Sequence, residues 1–425
     1  MPKYHIWTIG CQMNKAESER LGSLFEQHGY KATDAAAEAD LIVLNSCVVR
    51  QSAENRAVGM LTALKPLKKA NPGLTIALTG CLVDSNTAQL KKAFPYVDHF
   101  FKPGDQPDWL QKTTAGQPSP QDAPPSVYLP IIQGCDNFCS YCIVPYRRGR
   151  ERSRPVAELT NEARELVRRG AREITLVGQN VDSYGHDLPG KPFDSAQGKP
   201  DLADLLSELN NIEGLARLRF LTNHPKDMTS RLVEAIASLD KVCEQFNLPV
   251  QSGDNDILKL MRRDYTVEHY RQLVAETRRR IPEIAISTDV IVGFPSENEE
   301  QFRHTLDLLT ELRFDAVHVA AYSPRPGTIA ARELEDNVPA SEKSRRLALI
   351  EQLQGKILTE INAGLLGKTV EVLVEGRKKG KWHGRSRSGK LIFFSDTSNC
   401  RGQLANIRVE KTSPWSLQGS LESSK

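Results

Sequence analysis

The chain has 425 residues, too many for one ordinary domain and enough for two or three, and its 39% hydrophobic and 26% charged residues are those of a soluble globular protein. No run of about 18 apolar residues is present to form a membrane-spanning helix, and 8 cysteines in this length exclude a disulfide-dense secreted scaffold, favouring metal binding or catalysis in a reducing compartment. The net charge of +3 is unevenly placed: residues 354–420 hold 12 Lys and Arg against 5 Asp and Glu, so a basic C-terminal segment sits on a mildly acidic remainder and suggests a polyanionic partner.

The N-terminus, MPKYHIWTIG, enters an apolar strand pattern directly, without a basic segment, apolar core and cleavage site, and is read as cytoplasmic. Residues 3–110 alternate β-rich runs with helical patterns. Strands are predicted at Tyr4–Thr8, Leu41–Leu44 and Leu74–Leu78, with helices at Glu17–His28 and Ala53–Leu67 between them. Such alternation implies an open parallel α/β sheet with both faces covered. TTAGQPSPQDAPPS at 113–126 has no periodicity and reads as a linker.

Residues 127–340 repeat a strand–helix unit six times, with strands at Tyr128–Ile132, Glu173–Val177, Leu218–Leu221, Gln245–Leu248, Ala285–Ile291 and Ala316–Ala321. Amphipathic stretches such as Val156–Arg169 and Arg231–Leu239 follow them. Six units fit a partial (β/α)6 barrel, an architecture that places chemistry at the C-terminal ends of its strands. GKPFDSAQGKPDL, 190–202, fits poorly and reads as a surface insertion. From 354 to 420 short strands recur; Val370, Val372 and Val374 alternate with Glu371 and Glu375, the pattern of a half-buried strand. A small antiparallel β-barrel of OB-like kind is expected there, a design common in nucleic-acid binding. The expected domains are 1–118, 119–350 and 353–420.

Cys135, Cys139 and Cys142 form C-x3-C-x2-C directly after the strand YLPII. A structural zinc site needs a fourth Cys or His at suitable spacing, and His99, His186 and Cys81 are all distant in sequence. Three thiolates can instead hold three irons of a four-iron, four-sulfur (4Fe-4S) cluster, leaving the fourth iron open. Cys11, Cys47 and Cys81 show a second pattern: each lies just past a predicted strand, ending YHIWTIGC, LIVLNSC and LTIALTGC. In an open parallel sheet those ends meet on one edge, where ligands bind. The bland alternative, three ordinary core cysteines, does not account for the shared strand-end position. Cys243 and Cys400 fit core packing.

With these motifs in place the chain resembles a known family. C-x3-C-x2-C at the end of the first barrel strand is similar to the radical S-adenosylmethionine (SAM) signature. GCDNFCSYCIVPYRRGRERSRP at 134–155, GCQMN at 10–14, GQNVDSYG at 178–185, PVQSG at 249–253, VGFP at 292–295 and YSPRPGTIAA at 322–331 resemble the methylthiotransferases. Within them GCQMN is similar to the MiaB-type tRNA enzymes, and the resemblance extends to a C-terminal TRAM domain. It implies a transferase that converts N6-isopentenyladenosine beside the anticodon to its 2-methylthio derivative. The close alternative is action on N6-threonylcarbamoyladenosine; a metal-stabilised RNA-binding protein without catalysis is the alternative of another class.

The implied cofactors are two 4Fe-4S clusters and SAM, the latter both radical source and methyl donor. Cys135, Cys139 and Cys142 would hold the cluster that binds SAM, and Cys11, Cys47 and Cys81 an auxiliary cluster presenting sulfur; no catalytic residue beyond these ligands is assigned. The implied partners are tRNA and an electron donor such as flavodoxin or ferredoxin, with no membrane and a monomeric chain. Gly178, Gln179 and Asn180 follow the second barrel strand, Ser252 and Gly253 the fourth, Val292 and Gly293 the fifth, where the family contacts SAM; plain loop geometry is the competing reading. Arg147, Arg148, Arg150, Arg152 and Arg154 crowd beside the cysteine motif and suit phosphate or a carboxylate. Lys378, Lys379, Lys381, Arg385 and Arg387, with Trp382 and His383, suit an RNA backbone with stacking, against a merely solubilising surface. Ser296 stands where the family usually has glycine, Ser46 where it has threonine, and Asn247 where histidine is common.

Overall fold

The computed structural model describes residues 1–83, 87–105, 107, 109–110, 123–189 and 198–422. Residues 113–122 of the expected linker and 190–197 of the expected insertion lie outside the described residues. By its contacts the chain divides into two compact units: Met1–Gln121 with Gln133–Phe138 and Cys142–Glu151, and Asp122–Ile132 with Cys139–Tyr141 and Arg152–Lys425.

In the first unit Lys3–Thr8 (β1), Lys31–Ala32 (β2), Leu41–Ser46 (β3), Thr75–Gly80 (β4) and His99–Phe100 (β5) form a parallel sheet in the order β2-β1-β3-β4-β5. The run LIVLNS makes β3 its buried centre, because side chains alternate across a strand and both faces are covered. Ile42 and Leu44 pack with Ala57, Leu61 and Leu64 of the helix Gln51–Ala70. Leu41 and Val43 pack on the other face with Leu21 and Phe25 of the helix Gln12–Gln27. That second helix begins five residues before its expected start, directly after Cys11.

In the second unit six parallel strands supply the partial (β/α)6 barrel: Ser126–Pro130 (β6), then, past the two-residue strands Ile132–Gln133 (β7) and Arg152–Ser153 (β8) that bracket the cysteine motif, Glu173–Val177 (β9), Arg217–Leu221 (β10), Gln245–Asn247 (β11), Ala285–Val292 (β12) and Ala316–Ala321 (β13). They pair as β10-β9-β6 and β11-β12-β13, and a parallel bridge from Leu218 to Val242 continues one set toward the other. Thr229, Thr266 and Asn298 start three of the outer helices by accepting backbone N–H bonds. The helix Ala340–Ala363 runs through the boundary expected near 350, because Ile350, Ile357 and Leu358 continue one buried stripe along it.

Thr369–Lys378 (β14), Lys381–Ser386 (β15), Leu391–Phe394 (β16), Leu404–Thr412 (β17) and Leu417–Leu421 (β18) close a five-stranded barrel ordered β14-β15-β16-β18-β17. Its pairs are antiparallel except β16 with β18. A ring of five strands cannot alternate direction at every step, so one pair must be parallel. The expected alternation of β14 holds where Val372 and Val374 enter the barrel core.

Candidate functional site

Strand order settles how Cys11, Cys47 and Cys81 are placed. β1, β3 and β4 are neighbours in the sheet and end at Thr8, Ser46 and Gly80, so the three cysteines follow on one edge. Cys47 and Cys81 are buried and Cys11 is exposed. Asn14 knits the edge: it donates to Asn45 Oδ1 and to the Ser46 carbonyl, both at 2.8 Å, and accepts from Cys11 Sγ at 3.3 Å. Ser46, in place of threonine, keeps the hydroxyl that donates to the Thr79 carbonyl at 2.6 Å. The guanidinium of Arg148, buried, donates to Cys81 Sγ at 3.3 Å and to Asn14 Oδ1 at 3.4 Å. Burial, then the neighbouring Cys81 sulfur, pushes the Cys47 thiol up to about 11. Among the described residues no group of three or more Cys, His, Asp or Glu side chains stands so as to hold a metal ion. The donor set fits a thiophilic iron centre: three sulfurs just past the ends of neighbouring strands, with a buried cation against one of them.

The C-x3-C-x2-C motif has residues in each unit, and each part is held within its own unit. In the first, Gly134 has φ +83° and Cys135 N–H donates to the Gly149 carbonyl at 3.2 Å. In the second, Ser140 is pinned by N–H to the Met261 carbonyl and by its hydroxyl to the Leu260 carbonyl, while its own carbonyl accepts from Ala330. Arg263, buried, donates to Cys139 Sγ at 3.5 Å and to the Pro249 carbonyl at 3.0 Å. Arg263 was not singled out from the sequence, where MRRDY carries no motif.

The expected SAM contacts have protein neighbours. A side chain on Gly178 would meet Ile132, one on Gly253 would meet the His304–Thr305 backbone, and one on Gly293 would meet Lys343. Gly293 N–H donates to Glu297 and Gly253 N–H to Thr305; Ser252 and Val292 are buried, and Gln179 is half-buried. Asn247 takes the family's histidine position and donates to Ser287 and Asp289. Asn180 donates to Asp227 at 2.7 Å and keeps a buried Oδ1 without a partner. Beside it lies a cluster that sequence reading missed. Asp182 accepts from Asn223 Nδ2 and from the His224 N–H, at the C-terminal ends of β9 and β10. Burial raises the Asp182 carboxyl to about 7, and burial with the Arg263 and Lys226 cations lowers His224 to about 2, leaving a neutral imidazole. The buried Asn223 Oδ1 and His224 Nε2 have no protein partner. Their signal in the sequence was VDS and TNHP, each just past a strand.

The basic residues divide. Lys378, Lys379 and Lys381 line a depression of about 340 Å³ with Phe393 and Gln418. Arg385 pairs with Glu375 and its carbonyl accepts from Arg217. Arg387 is tied to Glu244 at 2.7 Å, and its carbonyl and that of Ser386 accept from the buried Arg219. Trp382 is a core residue of the small barrel whose Nε1 donates to Asp396 and Ser398 carbonyls. Arg385, Arg387 and Trp382 therefore hold the small barrel together and against the larger one. Near the cysteines Arg150 pairs with Asp136 and lies over the Phe138 ring, Arg154 binds Glu158 and Glu162, and Arg147 is half-buried.

Family models match residues 129–309 (Radical SAM superfamily), 3–102 (Uncharacterized protein family UPF0004) and 365–421 (TRAM domain). The chain is 55% identical to the tRNA-2-methylthio-N(6)-dimethylallyladenosine synthase of Dehalococcoides mccartyi strain CBDB1, covering 99% of both chains. It is 48% identical to the enzyme of that name from Chloroflexus aurantiacus, covering 98% of this chain and 91% of that one. Among solved structures, the radical SAM methyltransferase TsrM of Kitasatospora setae shares the fold, with a TM-score of 0.57 at 14% identity over 87% of this chain and 78% of that one. No described helix is long and apolar enough to cross a membrane. The chain belongs to the radical SAM enzymes and, within them, to the tRNA-2-methylthio-N(6)-dimethylallyladenosine synthase family.

Proposed function

We propose that this chain converts N6-isopentenyladenosine beside the anticodon of tRNA into 2-methylthio-N6-isopentenyladenosine, using two iron–sulfur clusters. The observation that carries this reading is the placement of Cys11, Cys47 and Cys81 after three neighbouring strands, a second three-cysteine set beside C-x3-C-x2-C. Cys135, Cys139 and Cys142 would hold the cluster that binds SAM, and Cys11, Cys47 and Cys81 the auxiliary one. When bound, these groups supply one-electron cleavage of SAM, the sulfur to be inserted at C2 and the methyl group.

The chain's own residues position and shield. Arg263 and Arg148 place one buried cation against each cysteine set. Asn180, Asn223 and His224 keep buried polar atoms without a partner near the strand ends, where barrels of this kind bind ligands. Lys378, Lys379 and Lys381 offer charge to the tRNA backbone, with Phe393 beside them. Residues 1–118, 119–350 and 353–420 are the auxiliary-cluster, SAM-barrel and RNA-binding domains of this scheme. A monomer in the cytoplasm, reduced by flavodoxin or ferredoxin, completes it. The test is expression in cells lacking their own enzyme, followed by mass spectrometry of tRNA nucleosides. Restoration of the methylthio-isopentenyl nucleoside is expected; its absence, or methylthiolation of threonylcarbamoyladenosine instead, overturns the assignment.

A further inference from the structure

Arg148 sits in an arginine-rich run whose obvious reading is contact with phosphate, yet its environment is of another kind. It ends the short helix Val144–Arg148, and the preceding Ile143 packs with Val48 and Cys81. The guanidinium is buried, with Arg148 only 6% exposed. A buried cation without an anionic partner costs several kcal/mol. It donates to Cys81 Sγ at 3.3 Å and to Asn14 Oδ1 at 3.4 Å, and Asn14 is neutral. The Glu17 carboxylate adds to its electrostatic surroundings but is itself bonded to Arg20 at 2.8 Å and to the Gly104 N–H. The group in direct contact with Arg148 that can take up negative charge is the Cys81 sulfur. The same Oδ1 accepts from the Cys11 thiol at 3.3 Å, a bond that is given up once Cys11 loses its proton to bind metal.

We infer that Arg148 is a positioning residue of the auxiliary site: it neutralises the sulfur-borne charge there, fixes Cys81 directly, and raises the reduction potential of the group that the cysteines hold. The inference rests on the auxiliary-cluster reading above. Its physical basis is that hydrogen bonds and positive charge at the sulfurs favour the reduced, more negative state of a cluster. Arg148 lies six residues beyond Cys142, so one stretch of chain supplies a ligand to one cysteine set and the counter-charge to the other.

The test uses full-length protein in which Cys135, Cys139 and Cys142 are alanine, so that only the auxiliary site loads iron on anaerobic reconstitution. Iron and sulfide content and an EPR-monitored redox titration are compared for Arg148, R148K and R148Q. The expected result is about four irons in each, with the midpoint potential lowest in R148Q and intermediate in R148K. If R148Q does not load, R148K decides, because lysine keeps the charge and loses the fork that reaches both Cys81 and Asn14; its potential must still fall. A loaded variant with an unmoved potential and an unchanged EPR signal overturns the role of Arg148 alone. Absence of iron with Arg148 intact overturns the auxiliary-cluster reading and this inference with it.

Discussion

Gly134→Ala is the perturbation that most sharply links backbone geometry to the cysteine motif. Gly134 has φ +83°, a region that costs an L-residue about 1–2 kcal/mol. A Cβ there would also lie 2.1 Å from the Arg150 carbonyl oxygen and 2.6 Å from the Gly149 oxygen. Those atoms are backbone, so no rotamer relieves the contact, and overpacking adds roughly 1–3 kcal/mol. The sum, about 2–5 kcal/mol, falls on the peptide that carries Cys135, whose N–H bond to the Gly149 carbonyl is then lost. Gly29→Ala is the matched control, with φ +82° and nothing within 4 Å of its Cβ, so it costs only the backbone share. The assay is iron per chain after anaerobic reconstitution, with reductive SAM cleavage followed as 5′-deoxyadenosine. G29A is expected to retain both; G134A is expected to lose about half its iron and nearly all SAM cleavage. Full iron and undiminished cleavage in G134A would refute the reasoning.

Ser296 occupies φ +70° where the family usually has glycine, so Ser296→Gly should stabilise the protein by about 0.5–1 kcal/mol and raise Tm by a few degrees in calorimetry. The buried Asp182 carboxyl has its folded pKa raised to about 7, so the folded state holds the proton more tightly and stability falls as pH rises from near 4 toward 7. Asp182→Asn, which keeps one acceptor for the His224 N–H and offers an amide N–H to the unpartnered Asn223 Oδ1, should flatten that slope in urea melts across the same window; an unchanged slope would assign it elsewhere. Replacing Lys378, Lys379 and Lys381 with alanine should weaken tRNA binding and lower the salt slope of log Kd by about one per lost phosphate contact. A weakened complex with the wild-type slope would remove these lysines from the backbone contact.

What the sequence disclosed follows from how local each signal is. Glu173–Val177 and Ala316–Ala321 have their predicted bounds because apolar β-branched runs end at clear breaks. Cys11, Cys47 and Cys81 were assembled from strand-end positions alone, since a parallel sheet fixes where such ends lie. Arg148, Arg385, Arg387 and Trp382 could not be sorted from the charge runs that contain them. The arginines depend on partners 67 to 168 residues away, such as Cys81 for Arg148 and Arg219 for the Arg387 carbonyl, and Trp382 on the closing of the barrel around it. Asp182, Asn223 and His224 were missed for the same reason: a buried polar cluster has no period. The parallel β16–β18 pair follows from the odd number of strands in a closed ring, a property of the whole barrel.

The central claim is that two separate three-cysteine sites each hold a cluster. Iron and acid-labile sulfide counted per chain in the anaerobically reconstituted protein test it most directly, alongside the variants C135A/C139A/C142A and C11A/C47A/C81A. About eight irons in the parent chain and about four in each variant are the expected values. Four irons in the parent, with only the first variant losing them, or a single zinc without sulfide, would contradict it.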